Sequence, residues 1–158
     1  MISDENEKMK RCTYKHILLA ALLLISSLAN ADYSQRFSLG AGAAVFNNSS
    51  SVFFELGGEY EYRVSSFLGL GGFASYIFSS PGLTEIGLPE VFLHPFGNQF
   101  FFSASPIIEF GSGMSTQGGV RLGTRLPIPL GAFTVVPSFA VDFINSSRVY
   151  IIGLGFEF

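Results

Sequence analysis

Cysteine, lysine and long hydrophobic runs are all scarce in this chain of 158 residues. The only cysteine, Cys12, and all three lysines lie in the first fifteen residues, so the remainder has no disulfide and no thiol chemistry. The longest apolar run, Ile17 to Ile25, is far short of the roughly 20 residues that a membrane-spanning helix needs. Yet 48% of the residues are hydrophobic and only 13% are charged, which is a poor match to a soluble domain surface.

The apolar run has the flanks of a secretory signal peptide. Four basic residues precede it, and a small-residue cleavage site, Ala29-Asn30-Ala31, follows it. We predict a signal peptide over residues 1–31, cut after Ala31, and a single domain over residues 32–158. The acidic leader Met1 to Glu7 suits a signal peptide badly, so Met9 is an alternative start. Retention of the segment as a signal-anchor helix is the other alternative.

Residues 32–158 keep five arginines and no lysine, against nine acidic residues, so their formal net charge is −4. A nucleic-acid partner requires a basic face, and this balance argues against one.

From Arg36 onward the chain divides into eight segments of about ten residues, each alternating between two side-chain faces and separated by short turns, as barrel strands require. The predicted strands are 36–46, 52–64, 67–78, 87–96, 100–110, 118–126, 133–144 and 148–158. The fourth is ambiguous, because placing Glu90 and His94 inward also turns Phe92 inward. Proline lacks a backbone donor, so Pro89, Pro106 and Pro137 predict local breaks or bulges.

The last segment, RVYIIGLGFEF, shows the alternation most clearly. One face is apolar with aromatic residues at both ends, and the other is mostly small with one carboxylate, Glu157. The apolar face consists of Tyr150, Ile152, Leu154, Phe156 and Phe158. An edge strand of a soluble sandwich is the alternative interpretation.

With eight predicted strands, a terminal phenylalanine and a rhythm of glycine and aromatic residues, the whole of residues 32–158 resembles the outer membrane protein beta-barrel domain family, the small OmpA-like and OmpX-like barrels. The resemblance implies an all-β fold, an eight-stranded antiparallel up-and-down transmembrane β-barrel in the outer membrane of a Gram-negative bacterium. It also implies that the apolar face of the last strand is the signal read by the barrel assembly machinery. The resemblance is specific for architecture and carries no catalytic signature.

Alternation also predicts which charged side chains face the lumen. An eight-stranded barrel encloses just enough space for side chains, so these groups must pair with one another and with trapped water. We expect Arg121 beside Glu59 and Glu90, Arg36 beside Glu157, and a plugged interior. The predicted lumen network comprises Arg36, Glu55, Glu59, Glu61, Arg63, Glu90, His94, Glu109, Arg121, Arg125, Asp142 and Glu157.

These features favour a non-enzymatic outer-membrane protein with a structural or envelope-integrity role. A narrow pore for small solutes or ions is the alternative, and the lumen acids would give it weak cation preference. His94, Glu90 and Ser103 could supply a nucleophilic triad, but nothing in the sequence fixes a nucleophile beside a base. No cofactor or metal is expected. The expected partners are outer-membrane lipid and lipopolysaccharide, whose phosphates Arg148 could bind at the rim.

Overall fold

Antiparallel β-strands make up most of residues 35–158, which are the residues that the computed structural model describes. The predicted signal peptide, the alternative start at Met9 and Cys12 lie outside these described residues. The strands are β1 Gln35–Phe46, β2 Val52–Arg63, β3 Leu68–Ile77, β4 Leu83–Leu93, β5 Phe101–Gly111, β6 Gln117–Arg125, β7 Ile128–Leu130, β8 Phe133–Ile144 and β9 Ser147–Glu157. No helix within residues 35–158 is long and apolar enough to span a membrane.

The eight long strands close into a barrel in which each strand pairs with its neighbours in sequence. The last strand, β9, pairs with β1, and the pairing of β6 with β8 completes the circle. The short β7 pairs only with β8 and continues the edge of β6 past Pro127. The predicted eight-stranded antiparallel up-and-down barrel is therefore confirmed, while the PIPLGA segment, which was predicted as a plain turn, contains β7.

Strand β4 begins four residues earlier than predicted, at Leu83 rather than Gly87. It also contains one extra residue between Gly87 and Val91 relative to both neighbouring strands. Leu88 and Pro89 both point outward at this bulge, which returns Glu90 to the lumen side. The bulge explains how Glu85 and Glu90, which are five residues apart, can both be fully buried.

Local breaks occur at Pro89 and Pro106, and Pro137 lies in the gap between the β6–β8 and β7–β8 ladders. Pro106 lies opposite the bulge in the irregular part of the β4–β5 ladder. Pro137 sits in an unbroken register with β9. Its carbonyl accepts from the Leu126 amide, 3.0 Å away, and its missing donor faces the interruption between β6 and β7.

The outer surface of the barrel is apolar. In the closing strand β9 the alternate residues from Tyr150 to Phe158 are 37–67% exposed, whereas Val149 and Ile151 between them are buried. Outward aromatic side chains gather near both ends of the strands, with Phe54 and Phe78 in contact at one end and Phe133 and Phe156 at the other. We call the end that holds Gln35 and Phe158 the terminal end, and the opposite end the loop end.

Candidate functional site: the charged lumen

Two arginines on β6 organise the centre of the lumen. Arg121 and Arg125 lie four residues apart, so both project from the inner face of the strand. Between them on that face lies Gly123, where a Cβ atom would come within 2.8 Å of the Ser103 hydroxyl. The glycine therefore leaves the space that the two guanidinium groups and their partners occupy.

Arg121 is only 6% exposed and binds carboxylates from three other strands. Its Nε and Nη2 atoms donate to the two oxygens of Asp142, each at 2.6 Å, and Nη2 also donates to Glu85 at 2.5 Å. Glu55 lies 3.8 Å from Nη1, and the guanidinium stacks over Phe73 with its carbon 4.1 Å from the ring centroid. The fork of donors in arginine suits this two-point contact with one carboxylate.

Arg125 forms a second cluster nearer the terminal end. Its Nη2 atom forms an ion pair with Glu59 and lies 3.5 Å from Glu90, and its Nη1 atom donates to the Ser103 hydroxyl at 3.0 Å. The ring of Phe92, 5.6 Å from the guanidinium carbon, covers one side. The inward Phe92 that made β4 ambiguous in the sequence is thus part of the packing around this arginine.

The remaining predicted lumen residues lie along the same inner surface. Arg36 and Glu157 form an ion pair of 3.6 Å at the terminal end. Glu61 and His94 are in contact there as well, 2.6 Å apart, and Arg63 reaches both. Glu109 lies towards the loop end and is 5% exposed, and one of its oxygens has no hydrogen-bond partner within residues 35–158.

The structure differs from the sequence analysis in how the acids are shared. Glu59 and Glu90 were expected beside Arg121, but both pair with Arg125. Strands in a barrel are tilted and staggered, so the level of a residue in the lumen does not follow from its position within its own strand.

Glu85 is the lumen residue that sequence reasoning missed. It is fully buried, binds Arg121, and accepts from the Ser75 hydroxyl at 3.2 Å. It was overlooked because the fourth strand was started at Gly87. The signal that could have found it is the period-two alternation before Gly87, in which Leu83, Glu85 and Gly87 fall on one face of the strand.

Acids outnumber arginines throughout this lumen, and some of their oxygens have no protein partner. Within residues 35–158, one oxygen each of Glu85 and Glu90 is buried and unpaired. A cavity of about 100 Å³ lies beside the two arginines, between Glu55 and Glu59 on one side and inward-facing glycines of β1 and β9 on the other. At about 30 Å³ per molecule this space holds roughly three waters.

An apolar layer lies on the inner side of the barrel at the loop end. Its buried members, which come from β1, β3, β4 and β9, are Ala44, Ile77, Leu83, Val149 and Ile151. A second group, Phe73, Ile107 and Ile144, adjoins the Arg121 cluster. The lumen is therefore polar from the terminal end through the Arg121 cluster, and at the loop end the apolar layer accompanies the buried Glu109.

The residues once considered for catalysis are engaged in other contacts. His94 contacts Glu61 and Arg63 through its two ring nitrogens, and Ser103 accepts from Arg125. Across the described strands and turns, no group of three or more histidine, cysteine or acidic residues has the arrangement of a metal site. The geometry offers side-chain packing and ion pairing.

Comparisons with known proteins bear on the fold. No protein-family model and no curated protein matches the chain. Among solved structures, it is similar to the N-terminal β-barrel domain of Pseudomonas aeruginosa OprF, at 12% identity over 78% of this chain and 97% of that chain, with a TM-score of 0.56. It is also similar to Neisserial surface protein A, NspA, at 13% identity over 78% and 96% of the two chains, with a TM-score of 0.60.

A de novo designed transmembrane β-barrel gives a comparable match, at 14% identity over 78% of this chain and 95% of the design, with a TM-score of 0.54. Likeness at these identities establishes architecture and leaves activity open. The chain has the fold of the small OmpA-like and OmpX-like eight-stranded barrels.

Proposed function

We propose that this chain is an integral, non-enzymatic protein of the bacterial outer membrane, with a structural role in the envelope and a plugged lumen. The observation that carries the proposal is the polarity of the barrel, which is apolar outside and charged inside, the reverse of a soluble protein. Large apolar side chains such as Phe54, Leu88 and Ile152 are 51–71% exposed on the outside, whereas Arg121 and Asp142 are 6% and 0% exposed within. Such a surface is stable in hydrocarbon and unfavourable in water.

The positions of the aromatic residues support the same placement. Transmembrane barrels carry girdles of aromatic residues at the two membrane interfaces, and outward rings near both ends of this barrel match that pattern. Arg148 is exposed at the loop end beside Phe143, its guanidinium carbon 6.0 Å from the ring centroid. An exposed arginine at that interface suits the phosphate of a lipopolysaccharide, because a guanidinium binds phosphate through two donors.

The contacts of the closing strand favour the proposal that the barrel assembly machinery assembles this chain. Phe158 and Phe37 exchange two backbone hydrogen bonds, of 2.9 and 3.4 Å, which join the last residue of the chain to the first strand. Removal of Phe158 therefore breaks the terminal pair of the β1–β9 seam as well as the aromatic end of the signal face.

The test of insertion is a heat-modifiability gel on outer-membrane fractions of cells expressing the full chain. A folded barrel resists SDS until heated, so boiling should slow its migration. Deletion of Phe158 should reduce the folded band, and Phe158→Tyr, which keeps the ring and the backbone, should not. Recovery of a periplasmic protein without a heat shift would contradict membrane insertion.

The plug is tested separately, by single-channel recording of the folded monomer in planar bilayers. The apolar layer at the loop end and the paired charges below it predict no steady conductance. The cavity of about 100 Å³ is the feature that favours the alternative, a narrow pore for small ions. Steady, cation-selective conductance of the monomer would replace the plugged barrel with that pore.

A further inference from the structure

His94 holds an unusual position between an acid and a base at the terminal end. It follows β4, is 2% exposed, and stacks against the ring of Phe101 with centroids 4.7 Å apart. Its Nε2 atom lies 2.6 Å from Glu61 Oε1, and its Nδ1 atom lies 3.1 Å from Arg63 Nη1. Both ring nitrogens are therefore engaged with charged partners.

Hydrogen-bond chemistry fixes the protonation state that this arrangement requires. A guanidinium group has only donors, so Nδ1 of His94 must accept the bond from Arg63. The proton of the neutral imidazole is then on Nε2 and is donated to Glu61. A doubly protonated His94 would instead direct an N–H group at an N–H group of Arg63, with two positive charges 3.1 Å apart.

Arg63 also joins the two neighbouring turns of the terminal end. Its Nη1 atom donates to the side-chain oxygen of Asn98, and its Nη2 atom donates to the backbone oxygen of Ser66, both at 2.9 Å. The backbone amide of His94 adds a bond of 2.8 Å to the Phe67 oxygen. Through these contacts Arg63 holds the turn after β2 against the turn after β4.

We propose that Arg63 and His94 form an acid-opened clasp over the terminal end of the lumen. Protonation of His94 strengthens its attraction to Glu61 and replaces its bond to Arg63 with repulsion, so Arg63 is the group that leaves. Two other charged side chains face the clasp, Arg36 from β1 and Glu157 from β9. They pair with each other at 3.6 Å, so the Glu157 carboxylate is already balanced by Arg36 and does not offset the added positive charge.

Opening of the clasp separates the two turns and admits solvent to the polar half of the lumen, while the apolar layer at the loop end stays closed. The inference goes beyond the proposed structural role and requires only the barrel fold.

The test uses the full chain folded in detergent micelles and NMR at about pH 8 and about pH 5, the range in which histidine serves as a pH switch. Imidazole nitrogen shifts should show Nδ1 unprotonated and Nε2 protonated at the higher pH. His94→Gln identifies the signal against that of His16. It also serves as the matched control, because its amide can accept from Arg63 and donate to Glu61 without gaining charge.

Amide hydrogen exchange reports the opening. After correction for intrinsic rates, protection of the His94 amide should fall about tenfold or more at the lower pH in the wild type. The reason is that the side-chain hydrogen bond between His94 and the charged Arg63 is lost. It should not fall in His94→Gln. The Asn47 amide, bonded to the Arg148 oxygen at 2.9 Å at the loop end, is the internal reference and should not respond.

An equal fall in His94→Gln, no fall in the wild type, or an Nδ1 proton at the higher pH would each overturn the clasp. If His94→Gln does not fold, Arg63→Gln replaces it, and the clasp then predicts low protection of the His94 amide at both pH values. A heat-shift gel on the same samples separates failure of the clasp from failure of the barrel.

Discussion

Replacing Arg121 with methionine should destabilise the barrel more than any change to an exposed arginine. The substitution keeps much of the side-chain volume, but it leaves Asp142, Glu85 and Glu55 without their shared cation. Two of these acids are 0% exposed and Glu55 is 7% exposed. Removing one partner of a buried ion pair costs about 3–5 kcal/mol, because the remaining charge has neither water nor a counter-ion. We expect Arg121→Met to lower the free energy of unfolding by that amount.

The assay is urea unfolding in lipid vesicles, followed by the heat-sensitive gel shift because the chain has no tryptophan. Arg148→Met is the matched control, since Arg148 is exposed and makes no ion pair with any residue from 35 to 158. Its loss should change the free energy by less than about 1 kcal/mol. Adding Asp142→Leu to Arg121→Met should recover part of the loss, because one unpaired acid is removed. An Arg121→Met barrel as stable as Arg148→Met would refute the assignment of Arg121 as the central cation.

Two further substitutions test the wall of the barrel. A Cβ atom on Gly42 would lie 2.8 Å from the Ile152 backbone oxygen, whereas one on Gly118 would meet nothing closer than 4.0 Å. Gly42→Ala should therefore lower the free energy of unfolding by about 1–3 kcal/mol through overpacking, and Gly118→Ala should leave it nearly unchanged. Ile152→Arg, on a side chain that is 67% exposed, should cost about 2–4 kcal/mol if that face lies near the bilayer midplane. A neutral Ile152→Arg would contradict contact with hydrocarbon.

The strands that sequence alone predicts well are those with an unbroken period of two. In β5 and β9 every inward and outward position follows from the alternation, so the pattern reveals both faces without knowledge of the neighbours. The pattern is weaker in β4, because the bulge at Leu88 and Pro89 exchanges the two faces midway. It also fails at β7, where prolines 127 and 129 give the appearance of a turn.

The pairing of lumen charges could be predicted only in part. Alternation identifies side chains that face inward, including both central arginines. The choice of partner depends on tilt and stagger, which are properties of the closed sheet and leave no local mark in the sequence. Arg121 therefore pairs with Asp142 and Glu85 rather than with the acids that had been expected.

The extra residue in β4 has a consequence for how this lumen tolerates change. Glu85 and Glu90 are five residues apart and would face opposite sides of a regular strand, yet they serve Arg121 and Arg125, which are four apart on β6. The bulge therefore allows two acids that are five residues apart on β4 to pair with two arginines that are four residues apart on β6. Deleting a single residue at the bulge would place Glu90 four residues after Glu85, so a regular strand would still turn both acids towards the lumen. The extra residue therefore adds outward surface at Leu88 and Pro89 without changing which acids of β4 face the lumen.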